Sequence, residues 1–233
     1  MVYKKHKKRG KTKTKNSRTI SRKLKTKAII FDLGGVLVLG KKFSLPHKTT
    51  WSTHKYVSSI LGFDLDSYFE AIETPYSNAI QGKITKKQAL KILSRRLKTT
   101  PRKLEKIYKK SYKNHFKQNK KLQRFAVNLK KRGYKIAILS DQWPVSQEVL
   151  IRKKLKNNFD KVIVSCDSSI KARKPSKKIY KLALKKLSIK PYEALFVDNR
   201  EWNTKPADKL GLKTILFKNN KQVISEINSI LEK

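Results

Sequence analysis

A short apolar run that ends in an aspartate and a glycine pair constrains this chain more than any other feature. Residues 28–31 are all apolar, Asp32 follows them, and Gly34 and Gly35 come soon afterwards. Such a run is typical of a strand buried on both faces of a parallel sheet. We therefore expect Asp32 at the carboxyl edge of a sheet, where open α/β sheets bind ligands. A carboxylate there can attack a phosphoryl or alkyl centre, or it can cap the next turn.

Four more apolar runs predict strands later in the chain, and helical patterns separate several of them. One helix is predicted over 177–187, where Ile179 and Leu187 share a face. Residues 204–210 form another helical stretch, which stops at Gly211. This alternation favours an α/β fold with a doubly wound parallel sheet. The four predicted strands are residues 135–140, 161–166, 193–198 and 213–217.

A helical insert separates the first predicted strand from the others. Residues 42–118 hold several helical patterns and no convincing strand, with a capping box at Thr85 and Gln88 and an N-cap followed by proline at Thr100. An insert at this point would lie over the sheet edge as a lid that excludes water and selects substrates. We divide the chain into a disordered basic arm (1–26), an α/β core (27–41 and 119–233) and a small helical cap (42–118).

The charge of the chain is extreme. Its formal net charge is +43, from 59 basic and 16 acidic residues, and 48 of the basic residues are lysines. Residues 1–27 hold thirteen of the basic residues and no acid, so the remainder still carries a net charge of +30. The abundance of lysine is compatible with a compositional bias of the genome or with affinity for polyanions such as nucleic acid. The basic arm could contact RNA, DNA or acidic surfaces, or act as a targeting signal.

The remaining composition argues against several classes of protein. The single cysteine, Cys166, cannot form an intrachain disulfide, and the four histidines lack the spacing of a zinc site. No apolar run approaches the roughly 20 residues that span a bilayer, and no secretory signal is visible. We therefore expect an intracellular protein that has no membrane partner. We expect it in the cytoplasm, and a nuclear or virion location is left open. The sequence does not specify its oligomeric state.

Polar side chains follow or end four of the apolar segments. Because the carboxyl ends of parallel strands meet at one edge of a sheet, we expect these side chains to converge. A nucleophilic carboxylate, a hydroxyl, a cation and a further acid are what phosphoryl transfer requires. The acids would hold a hard cation such as Mg²⁺, which prefers oxygen ligands. The residues are Asp32, Ser140 with Asp141, Lys174, and Asp198 with Asn199.

In order and spacing, these segments resemble the four motifs of the haloacid dehalogenase-like hydrolase superfamily. The resemblance covers residues 27–218 and is closest to the branch with a small helical cap, in which residues 81–85 also resemble a recurring segment. Residues 31–37 resemble the first motif, 139–140 the second, 173–175 the third and 195–201 the fourth.

The resemblance implies an enzyme that uses Mg²⁺ and forms an aspartyl-phosphate. Asp32 would be the nucleophile, and Lys174 would neutralise charge on the nucleophile and the phosphate. It implies Ser140 as a contact of the phosphoryl oxygens, and we add Asp141 and Gly35 as candidate substrate contacts. The implied metal ligands are Asp32, the backbone carbonyl of Gly34, Asp198 and Asn199.

Two positions depart from the family pattern. Most phosphatases of the family carry a second aspartate two residues after the nucleophile, as general acid and base, and this chain has Gly34 there. Such proton transfer typically contributes about 10²–10⁴-fold in rate. Asp141 is a candidate substitute. At Asn199, related sequences usually carry an acid, and a neutral amide is a weaker ligand for Mg²⁺.

We therefore expect a Mg²⁺-dependent phosphatase whose partner is a small phosphorylated substrate. The two altered positions and the basic surface leave a second hypothesis, which is a weak or inactive protein of the same fold that binds nucleic acid. A third and less favoured hypothesis is a metal-independent dehalogenase that attacks carbon. The cap sequence does not identify the substrate.

Overall fold

The computed structural model describes residues 26–41 and 51–232. The predicted basic arm lies outside the described residues apart from Thr26, as do residues 42–50 of the predicted cap. The described strands are β1 (Ala28–Phe31), β2 (Val38–Gly40), β3 (Phe116–Gln118), β4 (Lys135–Ser140), β5 (Lys161–Val164), β6 (Ala194–Asp198) and β7 (Lys213–Leu216). The described α-helices are α1 (Trp51–Leu61), α2 (Leu65–Ile80), α3 (Lys86–Arg96), α4 (Pro101–His115), α5 (Lys120–Lys131), α6 (Pro144–Leu150), α7 (Lys153–Asn158), α8 (Lys177–Leu187), α9 (Glu201–Asp208) and α10 (Asn220–Glu232).

The main sheet is parallel, with five strands in the order β5–β4–β1–β6–β7. β1 lies at its centre, and all four of its residues are fully buried. From β1 the sheet extends through β4 and β5 on one side and through β6 and β7 on the other. Such a switch point leaves a crevice at the carboxyl edge. The predicted α/β fold with a doubly wound parallel sheet is confirmed.

Helices cover both faces of this sheet because side chains alternate along β1. Ile29 and Phe31 belong to one apolar cluster, which is shared with α5, α6 and α10. Ala28 and Ile30 belong to a second cluster, which is shared with α8 and α9. Burial from both sides anchors β1 and thereby fixes the position of Asp32, which follows it directly.

Helices α1–α4 form the insert between β2 and β3. These two strands pair antiparallel, with Leu39 opposite Lys117, so both connections to the insert run through one two-stranded ribbon. β3 lies in a stretch where the sequence predicted no strand, because three residues are too few to show an alternating pattern. The predicted caps are present, since Thr85 accepts from the N–H of Gln88 and Thr100 from the N–H of Lys103.

A glycine brings the insert against the core. Gly82, between α2 and α3, has a φ of +64°, and a Cβ there would lie 2.7 Å from the carbonyl oxygen of Asp167. Asp167 lies in the loop that follows β5, at the carboxyl edge of the sheet. A side chain at position 82 would therefore be disfavoured both by the left-handed backbone and by the close approach.

Of two core helices predicted from the sequence, one has the predicted bounds and the other does not. α8 has the predicted bounds, whereas α9 begins at Glu201, before the predicted stretch. Pro206 lies inside α9. Proline is favoured in the first turn of a helix, so the sequence pointed to a later start. In the described part of the chain, no helix has the length and apolar character needed to cross a membrane.

Aromatic side chains join the insert to the core. Trp143 directly precedes α6, is buried, and donates its indole N–H to the hydroxyl of Tyr112 on α4 at 2.9 Å. The centroid of its ring lies 5.1 Å from that of Tyr76 and 4.7 Å from that of Tyr108. Trp143 therefore packs between the two units, three residues after Ser140.

The insert also buries a histidine. The Nδ1 atom of His54 lies 3.1 Å from the hydroxyl of Tyr68, and that hydroxyl lies 2.5 Å from the hydroxyl of Tyr108. The rings of Phe69 and Tyr76 pack around the imidazole. Burial lowers the pKa of His54 from 6.5 to about 4, so the ring is neutral in the folded protein at neutral pH.

We expect the free energy of unfolding to fall as the pH drops from about 6.5 towards 4. The unfolded chain then binds a proton on His54 that the folded chain excludes, which costs on the order of 3 kcal/mol over this window. Chemical denaturation of the wild type and the His54→Gln variant at several pH values measures this contribution. Parallel pH profiles for the two proteins would contradict a buried neutral imidazole.

Candidate functional site

Three neighbouring strands deliver polar side chains to one edge of the sheet. Asp32 follows β1, Ser140 ends β4 and Asp198 ends β6. Asp32 is buried, and its backbone N–H donates to the carbonyl oxygen of Val197 at 2.8 Å, which continues the pairing of β1 with β6. The structure thus brings these three sequence-predicted residues to the carboxyl ends of adjacent strands.

Lys174 links two of the three carboxyl groups at this edge, those of Asp32 and Asp198. Its Nζ atom is buried and lies 2.9 Å from Oδ1 of Asp32 and 2.6 Å from Oδ2 of Asp198. Burial by itself would lower the pKa of Lys174, but the charges of Asp198, Asp32 and Asp141 outweigh it and raise the pKa above its usual value. The ammonium group therefore stays protonated between two carboxylates that would otherwise repel each other.

Asp141 holds the loop that carries Lys174. Its Oδ1 atom accepts the backbone N–H of Lys174 at 3.0 Å, and its Oδ2 atom lies 3.5 Å from Nε of Arg173. Burial raises the pKa of Asp141, although the charge of Lys174 opposes this. A raised pKa suits proton transfer, but both carboxylate oxygens are engaged with the Lys174 loop. The geometry therefore favours a positioning role.

Asp198 is fixed by the start of α9. The N–H of Arg200 donates to its Oδ1 atom at 2.9 Å, and the side-chain amide of Asn203 donates to both carboxylate oxygens at 3.1 Å. Asn199 is also buried, next to Asp198. The amide of Asn203 thus contacts the carboxylate of Asp198 itself.

Sequence reasoning missed Gln142 as a partner of Ser140. Its Nε2 atom donates to the hydroxyl of Ser140 at 3.0 Å, while its Oε1 atom accepts from the hydroxyl of Ser146 at 2.7 Å. Its backbone N–H donates to the hydroxyl of Ser165 at 3.1 Å. A Ser140 hydroxyl that accepts from Gln142 keeps its own proton for another acceptor, such as a phosphoryl oxygen. Nothing in the local sequence pattern signals this contact.

The two glycines after β1 differ in backbone conformation. Gly35 has a φ of +86°, and its N–H donates to the carbonyl oxygen of Val38 at 2.7 Å. That amide is engaged within the turn, so a substrate contact by Gly35 stays a prediction. Gly34 does not adopt a left-handed backbone, and a Cβ built on it would have no heavy atom of the described residues within 4 Å.

The carboxylates of Asp32 and Asp198 are the acidic groups placed to hold a hard cation. Within residues 26–41 and 51–232, no group of three or more His, Cys, Asp or Glu residues is arranged for a metal. An ion at this edge would rest on two carboxylates together with neutral oxygens and water, which is how Mg²⁺ is commonly bound. The donor chemistry therefore fits Mg²⁺.

Cys166 does not have the character of a nucleophile. Burial raises the pKa of its thiol to about 12, and the thiol donates to Oε1 of Gln147 at 2.9 Å. The thiolate, which is the reactive form, is therefore scarce at neutral pH.

A family model of haloacid dehalogenase-like hydrolases matches residues 26–211. Over 97 residues the chain is 38% identical to glyceraldehyde 3-phosphate phosphatase of Pyrococcus furiosus, an alignment that covers 41% of this chain and 40% of that protein. The chain thus matches less than half the length of this curated relative.

Two solved structures share the fold. A predicted HAD-like family hydrolase from Porphyromonas gingivalis has a TM-score of 0.71 and 21% identity, over 89% of this chain and 98% of that one. A HAD family enzyme from Bacteroides thetaiotaomicron, in complex with magnesium and inorganic phosphate, has a TM-score of 0.63 and 18% identity, over 82% and 93% of the two chains. At these identities the likeness shows the fold alone. The family match spans the core and the insert together, and the chain therefore belongs to the haloacid dehalogenase-like hydrolase family of enzymes.

Proposed function

We propose that the protein is a Mg²⁺-dependent phosphatase that cleaves a small phosphomonoester through an aspartyl-phosphate on Asp32. This proposal rests on the position of the buried Lys174 ammonium group, which lies between Asp32 and Asp198. A fixed cation beside a carboxylate nucleophile is suited to a reaction in which negative charge gathers on a phosphoryl group. The phosphatase relative from Pyrococcus furiosus supports the same class of substrate.

In the proposed reaction, a carboxylate oxygen of Asp32 attacks phosphorus as the bond to the leaving oxygen breaks. Lys174 and the hydroxyl of Ser140 stabilise the charge on the phosphoryl oxygens. Water then hydrolyses the aspartyl-phosphate, which releases phosphate and regenerates Asp32. Lys174 remains protonated throughout, because Asp198 stays a carboxylate when Asp32 carries the phosphoryl group.

Asp32, Asp198, the carbonyl oxygen of Gly34 and the side chain of Asn199 would hold Mg²⁺. Asp32 and Asp198 follow or end paired strands, so their carboxylates lie side by side. The ion would supply charge stabilisation for the transferring phosphoryl group. The magnesium and phosphate complex of the Bacteroides thetaiotaomicron enzyme, which shares this fold, supports that choice of ion.

A small substrate is proposed because the insert lies against the core at the carboxyl edge. Gly82 and Trp143 are two of the residues at which the insert and the core make close contact. A packed insert leaves less room for a macromolecular substrate than an open sheet edge would, and it excludes water from the reacting groups.

Metal removal tests the proposed function. We expect the 233-residue chain to hydrolyse p-nitrophenyl phosphate and small phosphate esters with Mg²⁺, and to lose nearly all turnover in EDTA, with recovery when Mg²⁺ is restored. A steady-state assay that detects free phosphate measures this. Release of halide from a 2-haloacid with EDTA present, and no phosphate from any ester, would identify a carbon-attacking dehalogenase instead. Absence of turnover in both assays would also contradict the proposal.

The contact between Gln142 and Ser140 makes a second prediction for this activity. We expect Gln142→Leu to lower kcat/KM for phosphate esters about tenfold, because the loss of one hydrogen bond to a positioned hydroxyl is worth roughly 1 kcal/mol. Phosphate should also inhibit this variant more weakly. Gln147→Leu, inside α6, is the matched control. An equal loss in both variants would show a general effect on this segment rather than on Ser140.

A further inference from the structure

A groove on the surface of the core is lined by basic side chains and, among the residues that the structure describes, by no acidic one. It lies between α5 and α7 and has a volume of about 650 Å³. α5 packs on the face of the sheet opposite α8, so the groove is remote from that helix. We call it the α5–α7 groove, and its basic residues are Lys120, Arg124, Lys131, Arg152 and Lys154.

These five charges have no counter-ion in the described part of the chain. All five side chains are exposed, and none takes part in an ion pair there. Lys130, which is adjacent on α5, behaves differently, since it pairs with Asp160 at 2.7 Å. Like charges gathered in a concave surface create a positive potential that attracts an anionic partner.

The spacing along α5 suits an extended polyanion. Lys120, Arg124 and Lys131 are separated by four and seven residues, which places them along one side of the helix. At a rise of 1.5 Å per residue, they span about 16 Å. Arg152 and Lys154 provide the opposite wall of the groove. A chain of phosphates lying between the two walls would contact positive charge on both sides.

The remaining lining residues indicate how such a chain would be recognised. Val127 and Leu155 contribute apolar surface, and the side-chain amides of Gln123, Asn128 and Asn158 can donate to phosphate oxygens. Within residues 26–41 and 51–232, the groove has no aromatic lining residue on which a base could stack. Recognition would therefore depend on the backbone of the partner and not on its base sequence.

We propose that the α5–α7 groove binds the phosphodiester backbone of a short single-stranded segment of nucleic acid, independent of sequence. Its volume is that of a cleft for a ligand of modest size, which suits a few nucleotides of flexible strand. The site is separate from Asp32 and Lys174, so this binding does not depend on the proposed phosphatase activity. RNA and DNA present the same backbone charge, and the test below separates them.

Fluorescence anisotropy with labelled single-stranded oligonucleotides of about 12 nucleotides, one RNA and one DNA of the same sequence, tests the proposal. The full chain is used, so that residues 1–25 are present in every variant. The groove variant carries Arg124→Gln, Arg152→Gln and Lys154→Gln. The control carries Lys177→Gln, Lys181→Gln and Lys185→Gln on α8, which are exposed and remove the same net charge.

We expect the groove variant to bind at least about tenfold more weakly than the control at about 50 mM salt. Its plot of log K against log salt should be shallower than the control's by about 2, the value for three lost phosphate contacts on a single strand. Weaker binding to RNA alone, or to DNA alone, identifies which nucleic acid the groove takes. Equal affinities of the groove variant and the control for both oligonucleotides would overturn the proposal. It would also be overturned if an acidic peptide of matched charge displaced the labelled oligonucleotide as well as the unlabelled oligonucleotide does.

Discussion

The Asp32→Asn variant should lose more than about 10⁴-fold in kcat for phosphate esters, because an amide cannot replace the carboxylate nucleophile. Asparagine has nearly the same shape, and its side-chain oxygen can still accept the hydrogen bond from Lys174 that now spans 2.9 Å. We therefore expect the fold to survive. Steady-state hydrolysis of p-nitrophenyl phosphate measures the loss, and thermal unfolding measures the retained stability.

Asp208→Asn makes the same chemical change at an exposed position near the end of α9 and should keep full activity. If Asp32→Asn retained activity to within about tenfold of this control, Asp32 would not be the nucleophile. A second readout is chemical. Rapid quenching of the wild type during turnover should leave phosphate attached to Asp32, and peptide mapping of the Asp32→Asn variant should find none.

The sequence predicts the central sheet well because buried parallel strands have a strong local signature. The apolar runs leading to Asp32 and to Asp198 lie in β1 and β6, where every residue is buried. The carboxyl edge of a parallel sheet then brings these two residues together without any knowledge of their side-chain contacts. Lys174 was predicted from its motif, although it lies outside a strand.

The features that the sequence did not predict depend either on a particular loop conformation or on contacts between distant segments. The hydrogen bond from Gln142 to Ser140 requires a loop conformation that no propensity encodes. The pairing of β2 with β3 joins strands more than seventy residues apart in sequence, each only three residues long. The close approach of Gly82 to Asp167 likewise becomes visible only when the insert is placed against the core.

The Gly34→Asp variant should gain activity toward esters with poor leaving groups, by on the order of 10²-fold. The position can accept a side chain, since its backbone is not left-handed and a Cβ there would meet no heavy atom within 4 Å in the part of the chain that the structure describes. A carboxyl group two residues after Asp32 would lie close to a like charge, which raises its pKa and favours the protonated form that can act as an acid. Asp141 is less suited to this role, because its oxygens hold the Lys174 loop.

The choice of substrate separates proton donation from other effects of the substitution. p-Nitrophenolate leaves without protonation, whereas the alkoxide of an alkyl phosphate does not, so the gain in kcat should appear for the alkyl ester and be nearly absent for p-nitrophenyl phosphate. Gly34→Asn is the matched control, since it adds a side chain of the same size that cannot donate a carboxyl proton, and it should show no gain. A gain shared by Gly34→Asp and Gly34→Asn, or one that is equal for both esters, would assign the effect to packing of the turn. If neither variant gained activity toward either ester, another group would already protonate the leaving oxygen.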